Sequence, residues 1–98
     1  MARTQGRGGV IVQIPPALQA LAGGNREARV RGQTVGEALT DLAARYPALR
    51  PRLRGEDGQL RRFVLVFVNS EDIRSRQGEE TPVHEGDRLA IVPAVDGG

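Results

Sequence analysis

The chain opens its ordered pattern with an alternation. Over residues 10–14, Val10, Val12 and Ile14 fall on one face of an extended segment and Ile11 and Gln13 on the other. A first strand is expected there, stopped by Pro15-Pro16. A short apolar stretch at 17–21 leads to the turn residues Gly23-Gly24-Asn25, and residues 27–31 alternate again, which predicts a first hairpin with a long connection. The period then changes. Val35, Ala38, Leu39, Leu42, Ala43 and Tyr46 recur at three- and four-residue spacing, the apolar stripe of a helix. Thr34 followed three residues later by Glu37 is a capping-box signature for its start, and Pro47 disfavours helical geometry at Tyr46 and marks its end.

Residues 48–62 are polar and arginine-rich, with Leu49, Leu53 and Leu60 as apolar anchors, and the segment is long for an unstructured connection. A short helical turn is expected inside it. The most hydrophobic run, Phe63-Val64-Leu65-Val66-Phe67-Val68, has the length and composition of a strand and is expected to be a central strand. A short strand at 72–74 should follow the Asn69-Ser70 turn. The turn Glu85-Gly86-Asp87 leads to a last strand at 88–92, ended by Pro93.

This order predicts a two-layer α+β domain, a mixed sheet of about four to five strands with one main helix packed on one face. One helix covers one face only. With Val64, Val66 and Val68 toward it, Phe63, Leu65 and Phe67 line the opposite face, either as a partner surface or covered by the arginine-rich loop. The expected organisation is a flexible segment at 1–8, one domain at 9–93 and a flexible tail at 94–98.

Composition narrows the chemistry. The 98 residues are 39% hydrophobic and 27% charged, as in a soluble domain, and three aromatics leave the core to aliphatic side chains. No run has the length of a membrane span and no apolar h-region precedes the first strand, so no membrane association and a cytoplasmic location are expected. There is no cysteine and a single histidine, His84, which excludes disulfides, thiolate sites and histidine metal clusters within the chain. No Gly-x-Ser-x-Gly elbow is present, and Gly6, Gly8 and Gly9 precede a strand rather than opening a helix, so no metal, bound cofactor or nucleotide site is expected. All 14 basic side chains are arginine. A net charge of +2 with so few aromatics is not a nucleic-acid binder's pattern. Arg50, Arg52, Arg54, Arg61 and Arg62 gather around one loop, as a simple solvated face or as a guide for an acidic partner.

The remaining candidate for chemistry is Gly97-Gly98. Without a Cβ, such a tail can thread a narrow channel and adopt whatever backbone angles a partner's active site imposes. A free α-carboxylate is a poor electrophile until one oxygen is made a leaving group, for example by adenylation; a sulfur nucleophile can then attack the carbonyl. A bare diglycine is weak evidence, and its position just past a terminal strand is what gives it weight.

Residues 85–98, a Gly86-Asp87 turn, a strand, Pro93, a short tail and Gly97-Gly98, resemble the ending of the MoaD/ThiS sulfur carriers. Residues 62–74 and the lead Pro93-Ala94-Val95 are similar to the CysO-type carriers of actinobacterial cysteine synthesis, and the likeness runs from Val10 through nearly the whole chain. The resemblance implies a ubiquitin-like β-grasp fold and a protein cosubstrate rather than an enzyme. It implies that an E1-like enzyme of the MoeB/ThiF type uses ATP to adenylate Gly98 and that a sulfur donor converts the adenylate to a thiocarboxylate. The sulfur then passes to an acceptor, here a pyridoxal-phosphate-dependent cysteine synthase, with a metalloprotease trimming the adduct. Other branches of the family serve molybdopterin, thiamin thiazole, tRNA thiolation or sulfur-containing natural products. Phe63, Leu65, Phe67, Pro93, Ala94, Val95 and Asp96 are the expected partner contacts. Asp96 departs from the small neutral residue of CysO-type tails, which leaves the acceptor open. The alternatives are a ubiquitin-like modifier conjugated to lysines of other proteins, and a plain binding module whose tail is inert.

Overall fold

The computed structural model describes residues 9–93, so the expected segments 1–8 and 94–98 lie outside the described residues. β1 (Val10–Gln13) and β2 (Glu27–Val30) form the predicted hairpin, antiparallel from Val10↔Val30 to Gln13↔Glu27. Its long connection is α1 (Pro16–Gln19) and a 3₁₀ turn at Ala20–Ala22, ended by Gly23 at φ 66°. Pro16 sits in the first turn of α1, where a missing N–H costs nothing.

α2 (Val35–Arg45) starts where the capping pattern places it: the Thr34 hydroxyl accepts from the Glu37 amide at 3.2 Å. The Glu37 carboxylate accepts from the Gln33 amide at 2.8 Å, one residue before the amide a capping box would reach. Val35, Ala38, Leu39 and Leu42 are buried, while Ala43 and Tyr46 sit at the margin of the stripe. The expected helical turn in the arginine-rich stretch is a 3₁₀ turn at Pro47–Leu49 running into α3 (Arg50–Leu53), and Leu49 and Leu53 anchor it in the core.

β3 (Val64–Val68), β4 (Glu71–Asp72) and β5 (Arg88–Pro93) complete a five-stranded sheet in the order β2-β1-β5-β3-β4. β1 and β5 are parallel and the other pairs antiparallel. The 63–68 run supplies an interior strand, as expected, paired with β5 on one side and the two-residue β4 on the other, while β5 takes the middle position beside β1. Two expectations change. Phe63 is outside the strand, since the Val64 amide donates to the Arg61 carbonyl at 3.0 Å and closes a turn there. The short strand is Glu71–Asp72 rather than 72–74. Asn69 (φ 48°) and Ser70 (φ 77°) make a two-residue turn, so pairing resumes at once with Val68↔Glu71. Asp72 then accepts from the Arg74 amide at 2.8 Å and starts the 3₁₀ turn Ile73–Ser75, which drops Ile73 into the core.

The core lies between one sheet face and the helices. Val10, Val12, Val30, Val66, Val68, Leu89 and Ile91 come from strands, Leu39 and Leu42 from α2, and Leu49 and Leu53 from the segment after it. Each such side chain contributes about 1.5–3 kcal/mol of burial. Truncating Leu39 or Leu42 to Ala would cost about 2–5 kcal/mol, the range for a cavity in a packed aliphatic interior.

Candidate functional site

The site is built around β5, the last strand of the described residues. Its start is set by the turn His84-Glu85-Gly86-Asp87, closed by the Asp87 amide on the His84 carbonyl at 2.9 Å with Gly86 at φ 88°. Asn69 ties this turn to the β3–β4 turn. Its amide donates to the Arg88 carbonyl at 2.9 Å, its Oδ1 accepts from the Arg88 amide at 3.0 Å, and its Nδ2 donates to the Asp87 carboxylate at 3.1 Å. The same carboxylate accepts from the His84 amide at 2.8 Å. Partial burial pushes the Asp87 carboxyl up, but the His84 amide, the Asn69 side chain and the nearby His84 ring outweigh it and hold the group below the usual carboxylate range. The His84 side chain is 80% exposed, with its Nδ1 3.7 Å from the Asp87 carboxylate, the position of a solvated turn residue.

Strand alternation places Leu65 and Phe67 on the face away from the helices, as expected, with Val66 and Val68 buried. Across the ladder Leu65 faces Val92 and Phe67 faces Ala90. Val92 and Ala90 escaped the sequence reading, although the alternation that sends Leu89 and Ile91 inward leaves them on the outer face. Phe63 (52% exposed) and Val92 (42%) are the large hydrophobics most open to solvent among the described residues. The arginine-rich loop therefore does not cover this face; its leucines are spent on the opposite side of the sheet. The outer face is graded. At its far end Arg88 bonds Glu27 at 3.1 Å across the sheet, and Gln13 lies exposed beside them. The apolar end is where the chain leaves at Pro93, opposite Val64. Pro93 itself follows Leu89 and Ile91 in the alternation and belongs to the helix side, so it is not part of the outer stripe. Ala94, Val95, Asp96, Gly97 and Gly98 lie outside the described residues.

The five loop arginines divide. Arg54 is tied down: it donates to both Glu79 carboxylate oxygens at 2.7 and 3.1 Å and to the Gly58 carbonyl at 3.0 Å, with only 14% of its side chain exposed. Arg61 donates through Nε to the Pro51 carbonyl at 2.7 Å. Arg50, Arg52 and Arg62 are exposed and make no ion pair with any described residue. Among the described residues no group of acidic and histidine side chains converges as a metal site, and no helix is long and apolar enough to cross a membrane.

Comparison with known proteins places this geometry. The ThiS family model matches residues 12–98. The sulfur carrier protein CysO of Mycobacterium tuberculosis is 40% identical over 91 residues, covering 91% of this chain and 98% of that protein. Among solved structures, the BexX/CysO complex of Amycolatopsis orientalis matches with a TM-score of 0.82 at 42% identity, covering 91% of this chain and 99% of the matched one. Small archaeal modifier protein 1 of Haloferax volcanii matches at 0.80 and 34% identity, covering 93% and 100%. A five-stranded mixed sheet gripping one main helix, shared at these identities, is the ubiquitin-like β-grasp, and the chain belongs to the ThiS family.

Proposed function

We propose that this chain is a sulfur carrier that works on its C-terminal glycine and depends on partner enzymes for every chemical step. The carrying observation is the likeness to CysO over 91% of the chain, together with a ThiS family match whose span, residues 12–98, takes in the last strand and the Gly97-Gly98 pair. In this reading an E1-like enzyme binds ATP, and an oxygen of the Gly98 carboxylate attacks the α-phosphorus, releasing pyrophosphate. Hydrosulfide then displaces AMP from the acyl adenylate, and loss of the remaining S–H proton leaves the thiocarboxylate. The carrier binds no cofactor of its own. Gly97 supplies the backbone freedom that threading requires, and Leu65, Phe67, Ala90 and Val92, with Phe63 beside them, supply the apolar docking face.

The favoured acceptor is a pyridoxal-phosphate-dependent cysteine synthase, with a metalloprotease releasing cysteine from the adduct; the CysO relatives support that branch. The test is incubation with ATP, sulfide and a MoeB/ThiF-type enzyme, followed by intact-mass analysis. The wild-type chain should gain the mass difference of one oxygen replaced by sulfur, and the chain lacking Gly98 should not. The same gain in the truncated chain would overturn the assignment.

A second reading, conjugation to lysines of other proteins, is favoured by the likeness to the Haloferax volcanii modifier. This chain has no lysine, so it cannot build lysine-linked chains on itself. A ladder above the free protein in cell extract, under denaturing and reducing conditions, would select that reading.

A further inference from the structure

Of the arginines that hold no carboxylate among the described residues, Arg52 and Arg62 lie near the end of β5, whereas Arg26 and Arg31 flank β2. Val64 faces Pro93, so Arg62 lies two residues from the point where the tail begins. The Arg61 amide donates to the Leu53 carbonyl at 2.8 Å, which brings the end of α3, and with it Arg52, to the same corner. Elsewhere on the surface Arg45, Arg74, Arg76 and Arg88 each hold a carboxylate, Asp41, Asp72, Glu71 and Glu27 in turn. Arg52 and Arg62 hold none among the described residues, and Arg62 adjoins Phe63, the most exposed large hydrophobic described. Two free guanidinium groups beside an exposed ring form a corner that is both cationic and apolar. Its complement is a protein surface that sets carboxylates around an apolar rim.

We infer that Arg52 and Arg62 form a cationic collar at the root of the tail that docks on the acidic mouth of the enzyme cleft receiving that tail. This rests on the sulfur-carrier reading and names the chemistry of the partner. The collar steers encounter and fixes the angle at which the tail enters, while the graded apolar face supplies contact area. Neither side chain holds a hydrogen bond or ion pair with a described residue and both are exposed, so both can be replaced with little structural penalty.

The test is ATP–pyrophosphate exchange by a MoeB/ThiF-type enzyme that activates the wild-type chain, run at low and high salt. The double variant R52Q/R62Q should raise the KM for the carrier about tenfold at low salt with kcat within about twofold, and should flatten the salt dependence of kcat/KM. R52K/R62K should recover most of the loss. R74Q/R76Q, which removes the same net charge at the far end of β3, should leave KM unchanged. The inference is overturned if R52Q/R62Q stays within about twofold of wild type, or if the R74Q/R76Q control raises KM equally. A KM that falls in R52Q/R62Q would also overturn it and assign the collar to the chain's own Asp96. Exchange with wild type but not with the chain lacking Gly98 keeps the carrier reading in place whatever the collar does; no exchange with wild type overturns both.

Discussion

Arg54 is the loop arginine whose removal the structure makes most costly. In Arg54→Ala the Glu79 carboxylate loses two charge-assisted hydrogen bonds, at 2.7 and 3.1 Å, and the Gly58 carbonyl loses one at 3.0 Å; the 3.4 Å approach to the Gly36 carbonyl is too long to add much. The site is neither fully wet nor dry, with 14% of the Arg54 side chain and 30% of Glu79 exposed. An exposed pair is worth about 0.2–1 kcal/mol and breaking a buried one costs about 3–5. Glu79 can recover water once the guanidinium is gone, so the expected loss is about 2 kcal/mol, which for a domain of this size lowers Tm by about 8–16 °C. Gly36 makes the geometry possible, because a Cβ there would sit 3.0 Å from the Glu79 Oε1. The assay is urea denaturation followed by far-UV circular dichroism for Arg54→Ala, Glu79→Ala and the double variant. A coupling energy of about 1–2 kcal/mol is expected for the pair. Coupling below about 0.5 kcal/mol, together with an unchanged midpoint for Arg54→Ala, would refute the claim that this bridge ties the arginine-rich loop to the 3₁₀ turn at Gly78–Glu80.

Ser70 sits at φ 77° in a two-residue hairpin turn that favours glycine there, so Ser70→Gly should stabilise the domain by about 0.5–1 kcal/mol, read as a rise in Tm. Asp41, held down by the Arg31 amide and then by Arg45, and Asp87, described above, both have carboxyls below their ordinary value. The unfolded chain therefore binds protons more readily than the folded one. The stability these groups confer is present above about pH 4 and is lost as pH falls through their folded pKa values. Asp41→Asn with Asp87→Asn should flatten the urea midpoint against pH in that acid range. Val92→Asp, at a position 42% exposed, should leave Tm within a few degrees of wild type and yet abolish sulfur loading in the mass assay.

Local structure was legible because the signals are local. The alternation at Val10, Val12 and Ile14 and the spacing of Val35, Ala38, Leu39 and Leu42 each report which face is buried, and the structure buries those residues. Strand order is a different kind of information. Nothing in the composition of 63–68 distinguishes the middle of a sheet from the next position, and the choice is made by the parallel pairing of Ile11 with Arg88, 77 positions apart in sequence. The arginine cluster shows the same division. Five arginines in one stretch look alike, and only the fold brings Glu79 to Arg54 and leaves Arg52 and Arg62 without a carboxylate among the described residues. At the tail, the glycine pair and the Gly86-Asp87 turn carried the reading, while the outer-face residues of β5 were hidden by the attention that its buried ones draw.

The position of Pro93 makes physical sense only once the two edges of β5 are separated. Hydrogen bonding between Asn69 and Arg88 sets the alternation in the β3–β5 ladder, so Leu65 and Phe67 bond across to Val92 and Ala90, while Val64 and Pro93 face each other without exchanging bonds. A proline therefore costs the β3 side nothing. On the other side β1 ends at Gln13, opposite Ala90, so from Ile91 onward that edge has no described strand beside it. An open edge with a free amide beside an apolar Val92 would invite pairing with any extended chain. Pro93 removes the donor at the point where the tail begins. Pro93 is thus paired through β3 alone among the described strands, and its missing donor disfavours strand addition on the other edge, a geometry compatible with the side-chain docking proposed above.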